Sequence, residues 1–142
     1  MSARATWLLA AEASRARLFA VHADRLEELE DLAHPQSRLH EQALDSDRPG
    51  RTFSHDGTGH TIQAHSDHHR AEEERFARQI AERLEAGRSA GEFGRVILIA
   101  APQFLGLLNA ALGRQVAGMV ERTIAKNVVR ETPESILAQL RG

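Results

Sequence analysis

Two unbroken apolar runs, ATWLLAA at 5–11 and GRVILIAAP at 94–102, constrain this chain more than any other feature of it. A strand with one face in water carries polar residues at alternate positions, whereas a strand covered on both faces reads as a continuous apolar stretch. The two runs are therefore expected to lie side by side at the centre of one sheet, with other structure packed above and below.

The remaining elements arrange themselves around that pair. After the first run, EAS makes a tight turn, and RARLFAVH (15–22) alternates: Arg15, Arg17, Phe19 and Val21 on one side, Ala16, Leu18 and Ala20 on the other. The two segments predict a β-hairpin. DRLEELEDLAHP (24–35) has helix-forming composition, but its length and its position after a hairpin favour a third antiparallel strand, which Pro35 ends. HHRAEEERFARQIAERLEAGRSAG (68–91) is the clearest helix, with Phe76, Ile80 and Leu84 on one stripe beside Ala77 and Ala81. Ser66 or Asp67 suits its N-cap, Glu72, Glu73 and Glu74 suit its positive end, and Gly87 or Gly91 suits its close. Pro102 opens the next helix, PQFLGLLNAALG (102–113), a strand is expected near 117–124, and Thr132 and Pro133 start a last helix.

This order is β-β-β, long loop, α, β, α, β, α. Parallel connections through helices are right-handed, and the pattern predicts an α/β fold. Its mixed five-stranded sheet has the order 3-2-1-4-5 with helices on both faces, a ribonuclease-H-like arrangement. A length of 142 residues predicts a single domain, 1–142, with a long loop at about 36–67.

Cysteine is absent, which removes disulfides, thiolate zinc sites and a cysteine nucleophile together and suits a reducing cytoplasm. Net charge is −2, so the chain has no bulk attraction to nucleic acid or anionic lipid. Lys126 is the only lysine; the other cations are arginines. The N-terminal apolar run is too short for a signal peptide, and no stretch approaches the ~20 apolar residues of a membrane helix. A soluble cytoplasmic protein is expected, with no membrane partner and no DNA partner.

Function concentrates in the loop. DSDRPGRTFSHDGTGHTIQAHSDHH (45–69) shows no periodicity, and a structureless stretch of that length inside a compact domain is normally functional or disordered. Within it, Asp47 can accept from the backbone that follows, Pro49 sets φ and Gly50 permits a positive φ. Such a turn either ties Arg48 and Arg51 to Asp47 as plain solvation or presents both guanidinium groups to phosphate or carboxylate. Seven of the eight histidines lie between His34 and His69, so the segment gains positive charge as pH falls through the ~6.5 reference value of histidine. A zinc site needs three or four ligands. His60, His65, Asp67 and His69 are the only candidates, their spacing matches no metal motif, and a cap at Ser66 or Asp67 leaves His65 outside the helix. Solvated loop histidines are the favoured reading, so neither a metal nor a cofactor is expected. The inner strands also lack the carboxylates of a two-metal nuclease, with none before Glu12 on the first and Ala100 and Ala101 closing the second. There is no G-x-S-x-G, and Ser14 stands in a hairpin turn.

Taken together, WLLAAEASRARLFAV, LDSDRPGRTFSHDG, ERFARQIAERL and VILIAAPQFLGLLNAALG resemble the bacterial host attachment protein family across nearly the whole chain. That family in turn resembles the central domain of archaeo-eukaryotic peptide release factors. There a long loop between the third strand and the first helix carries Gly-Gly-Gln, and an Arg-Phe pattern follows on the helix. Here ERFAR (74–78) follows the loop, which adds Arg75 to the binding candidates, but Gly-Gly-Gln is missing and AHSDHH stands before Arg70. The resemblance implies a non-enzymatic interaction module, with the ribosome or a structured RNA as partner and a protein as the other partner class. Its expected contacts are Asp47, Arg48, Gly50, Arg51, His65, His69 and Arg75. The competing reading is a metal- or histidine-dependent hydrolase built on the same loop, and the expectation leans away from an enzyme.

Overall fold

The computed structural model describes residues 4–33 and 58–141, with side chains from 68 onward in the second span. Strands β1 (Thr6–Ala11), β2 (Arg15–Val21) and β3 (Leu26–Ala33) form an antiparallel meander. Helix α1 (Thr58–Ser89) leads to β4 (Arg95–Ala100), which pairs with β1 in parallel: Leu8 opposes Ile97 and Leu9 opposes Leu98. Helix α2 (Pro102–Ala111) and the single turn α3 (Arg114–Ala117) carry the chain to β5 (Val120–Ala125), and α4 (Pro133–Arg141) follows. The sheet order is β3-β2-β1-β4-β5, as the apolar runs predicted, with β1 and β4 inside and parallel.

Alternation along the strands divides the core in two. Trp7, Leu9, Ala11, Ala16, Leu18, Val96 and Leu98 face α1, α2 and α3, where they meet Phe76, Ile80, Leu84, Phe104, Leu108 and Val116. Leu8, Ala10, Phe19, Ile97 and Ile99 face the other way and are covered by Val128, Ile136 and Leu137 from α4 and the segment before it. Both faces of β1 and β4 are therefore dry, which explains why neither run alternates. Thr132 caps α4 as its sequence suggested, its Oγ1 accepting from the Ser135 N–H at 3.1 Å.

Two local expectations are corrected. The helix expected to begin near 68 begins at Thr58, so the last ten residues of the expected 36–67 loop are helical and Ser66 and Asp67 are interior positions, not caps. Glu72–Glu74 consequently lie in mid-helix and have no role at its positive end; its first turn holds no acidic residue. The strand expected near 117–124 starts later, because residues 114–117 make one helical turn. Among the described residues, no helix is long and apolar enough to cross a membrane.

Helix α1 stops where Gly91 takes φ +75, the conformation glycine adopts freely at helix ends. Space is not the constraint there, since a Cβ would meet nothing within 4 Å. Gly91→Ala should therefore cost only the left-handed backbone penalty, about 1–2 kcal/mol, and Gly91→Asn less, as urea unfolding will show.

Candidate functional site

At the carboxyl ends of β1 and β4 the chain departs in opposite directions. From β1 it turns through Glu12–Ser14 into β2, and from β4 it enters α2 on the way to β5. Divergence of this kind leaves open the edge at which α/β sheets take ligands. Helix α1 crosses that edge. Phe76 lies 5.9 Å, ring centre to ring centre, from Phe104 in the first turns of α2. At its other end Gly87 is packed against Trp7, near the start of β1. The helix thus runs down the sheet from the carboxyl end, and residues 68–75 stand at the open edge.

A charged cluster occupies that stretch. The imidazole Nε2 of His69 lies 2.9 Å from the Glu73 carboxylate one turn later, with both side chains about three-quarters buried (27% and 20% exposed). Glu72 is buried at 5% exposure, and the Arg75 guanidinium, itself half exposed, donates to it. A buried carboxylate is tolerated when a cation pairs with it in this way. Arg70 sits 3.6 Å from Glu74 with its head largely in solvent. An imidazole held by a carboxylate can pass a proton or donate to an anionic group, and the two arginines present cations beside it.

The other side of the same edge is structural. Glu12, just beyond β1, accepts from the Asn127 amide at 3.3 Å and has the Arg130 guanidinium 3.7 Å away. Arg17 on β2, only 8% exposed, clasps Glu28 with Nε and Nη2 at 3.0 and 2.9 Å. Its Nη1 donates to the carbonyls of Val129 and Glu131 at 2.9 and 2.7 Å. These contacts pin the crossing segment between β5 and α4 to the sheet.

Of the residues singled out in the sequence, His69 and Arg75 lie in this stretch of α1, each paired with its own glutamate. His60, His65 and Asp67 fall on the same helix, with His65 one turn before His69, but their side chains lie outside the described residues. Asp47, Arg48, Gly50 and Arg51 lie outside them altogether. Among the described residues no three histidine or acidic side chains are placed to hold a metal ion. Glu72 and Glu73 were missed as site residues. Their signal lies in the spacing, i to i+4 from His69 to Glu73 and i to i+3 from Glu72 to Arg75, which a helix start placed near 68 conceals by making Glu72–Glu74 partners of the helix dipole.

Fold and cluster together define an α/β protein with a mixed five-stranded sheet and a long helix that bears paired charges at the strands' carboxyl end. The chain belongs to the family described as protein required for attachment to host cells, whose model matches residues 7–140. No curated protein matches it.

Proposed function

We propose that this chain is a non-enzymatic, cytoplasmic interaction module that engages structured RNA, with the ribosome as its natural source, through the amino-terminal half of α1 and the segment leading into it. One observation carries the reading: the length of α1 relative to the sheet. Its 32 residues span about 48 Å, whereas the longest strand, of 8 residues, spans about 26 Å. Phe76 and Gly87 fix the carboxyl-terminal half over the sheet, so the other half is long enough to reach past the open edge. That half carries His69, Arg70 and Arg75 near its base and follows the segment containing Asp47, Arg48, Gly50 and Arg51.

The resemblance to the central domain of peptide release factors supports the same partner class, because there too the long loop before this helix carries the functional motif. The fold on this reading is ribonuclease-H-like without nuclease chemistry, since the inner strands lack the carboxylates of a two-metal site, and without peptidyl-tRNA hydrolysis, since Gly-Gly-Gln is missing from the sequence. Guanidinium and imidazole groups that donate to phosphate and ribose suit an RNA surface, and the −2 net charge requires recognition by local groups rather than by the whole surface.

The test is co-sedimentation with purified ribosomes at graded salt, comparing wild type with Arg48→Lys/Arg51→Lys and with Arg75→Ala. Lysine keeps the charge and loses the bidentate fork, so the double variant should bind about tenfold more weakly at an unchanged melting temperature. Equal association of all three proteins, or none by wild type, would refute the reading. Turnover of peptidyl-tRNA that depends on His69 and Glu73 would favour the hydrolase alternative instead.

A further inference from the structure

A second surface feature lies on the opposite half of α1, away from the cluster just described. Between α1 and the corner joining α2 to α3 is a cavity of about 870 Å³, open to solvent. One wall is a stripe of α1 at helical spacing, Arg78, Glu82, Glu85 and Ser89, and the other is Gly113, Arg114 and Gln115. Alanines line the space between the walls, so no large side chain fills it.

The charges of this cavity are unevenly committed. Glu85 is taken: Arg88 donates to both its oxygens, at 2.9 and 2.6 Å. That hydrogen bonding holds the Glu85 carboxyl below its ordinary range, against a smaller opposing effect of desolvation. The side chains of Arg78 and Arg114, by contrast, have no hydrogen bond or ion pair among the described residues, and neither has that of Glu82. Arginines on a helix can pair with a carboxylate three or four residues away, and on α1 Arg70, Arg75 and Arg88 do so. Arg78 has Glu82 one turn away in sequence and does not pair with it. The cavity thus offers two free guanidinium groups, one free carboxylate and an apolar floor.

We propose that this cavity binds a free nucleoside phosphate. Each component of that ligand has a counterpart on the walls. The phosphate takes bidentate bonds from Arg78 and Arg114, the geometry in which guanidinium excels. The ribose hydroxyls donate to Glu82, as ribose hydroxyls do to acidic residues in nucleotide sites. The planar base lies on the alanine floor, which larger side chains would obstruct. A volume of this size falls within the range of small-molecule sites. A simple dianion satisfies the arginines but leaves Glu82 facing a like charge, and an apolar ligand satisfies none of the three. The site is separate from the α1 end assigned above to RNA, so either assignment can fail without the other.

The experiment is titration of the full chain with AMP, followed by calorimetry and by backbone amide shifts. Wild type should saturate, with shifts centred on Ser89, Gly113 and Arg114. Arg78→Gln/Arg114→Gln should weaken binding by about tenfold or more, given the strength of charge-assisted hydrogen bonds. Glu82→Gln should reduce the preference for AMP over dAMP while leaving phosphate recognition intact. All three side chains are exposed, so the variants should fold as wild type does, and the shift map on the unaltered chain stands regardless of them. Absence of saturable AMP binding overturns the proposal, as do shifts that avoid this cavity or an affinity the double arginine variant leaves unchanged. Binding of a short single-stranded RNA here without binding of AMP overturns it too, and assigns the cavity to a strand.

Discussion

Trp7→Ala should destabilise the protein by about 3–5 kcal/mol, a large share of the 5–15 kcal/mol that a domain of ordinary stability possesses. The indole is 4% exposed, stacks on Phe93 at 4.5 Å between ring centres and carries the Arg83 guanidinium 5.2 Å above its ring. Arg83 in turn reaches Glu30 on β3 and Glu92 before β4, at 2.6 and 3.6 Å. Removing the ring therefore empties a closed site and loosens the tether between α1 and two strands. The more discriminating result concerns Gly87. A Cβ there would stand 2.6 Å from Cη2 and 2.7 Å from Cζ3 of Trp7. Gly87→Ala should cost about 1–3 kcal/mol through overpacking, although alanine is about 1 kcal/mol better than glycine in a helix interior. Phenylalanine at position 7 has no atoms where Cη2 and Cζ3 stand. In the Trp7→Phe background the same Gly87→Ala change should become neutral or stabilising. A double-mutant cycle by urea unfolding reads this change of sign, and equal costs in both backgrounds would rule out the ring contact as the cause.

Arg17→Met should cost about 2–4 kcal/mol, whereas Arg15→Met on the same strand should cost about 0–1 kcal/mol. Both arginines grip a carboxylate on β3, and only burial and the second set of contacts separate them. Arg15 and Asp31 are partly in solvent, and the hydrogen bond to Asp31 raises the already high Arg15 pKa. Arg17 lies over the Phe19 ring at 5.0 Å and holds two backbone carbonyls that no other side chain serves among the described residues. Methionine fills the volume and leaves those carbonyls unmet. Lysine should recover only part of the loss, because one ammonium cannot span Glu28 and two carbonyls together. Amide exchange should show the Arg17→Met damage concentrated at residues 128–131. Uniform acceleration across the sheet would instead mean that the arginine stabilises β2 itself.

The two arginines also mark how far the sequence could be read. Period-two alternation put Arg15, Arg17 and Phe19 on one side of β2 and was right about the side. It carried no sign that Arg17 would be buried, because the cover comes from residues more than a hundred positions later. The inner strands were legible because an unbroken apolar run has one inexpensive environment, a dry one. The capping of α4 was legible because Thr132 and Pro133 act locally. Helix α1 was only half legible. Residues 76–84 show a stripe because they pack on the sheet, while TGHTIQAHSD at 58–67 has no such stripe and contains weak helix formers. Ser66 and Asp67 then looked like a beginning. The cluster at 69–75 suffered from that error, since moving the start by ten residues turned three glutamates from dipole partners into members of ion pairs.

The Arg17 clasp also bears on how the chain is made. Its carbonyl partner on Val129 lies 112 residues away in sequence, so the contact cannot exist until the ribosome has passed that residue. The β1–β2 hairpin emerges well before that residue, yet Leu8, Ala10 and Phe19 share their side of the core with Val128, Ile136 and Leu137. Until those residues follow, one side of the nascent sheet lacks that cover, and contacts of such long range close slowly. Docking of α4 is therefore the step that ends a window of vulnerability, and lesions in α4 should appear in cells as lost yield and chaperone dependence rather than as an altered native structure.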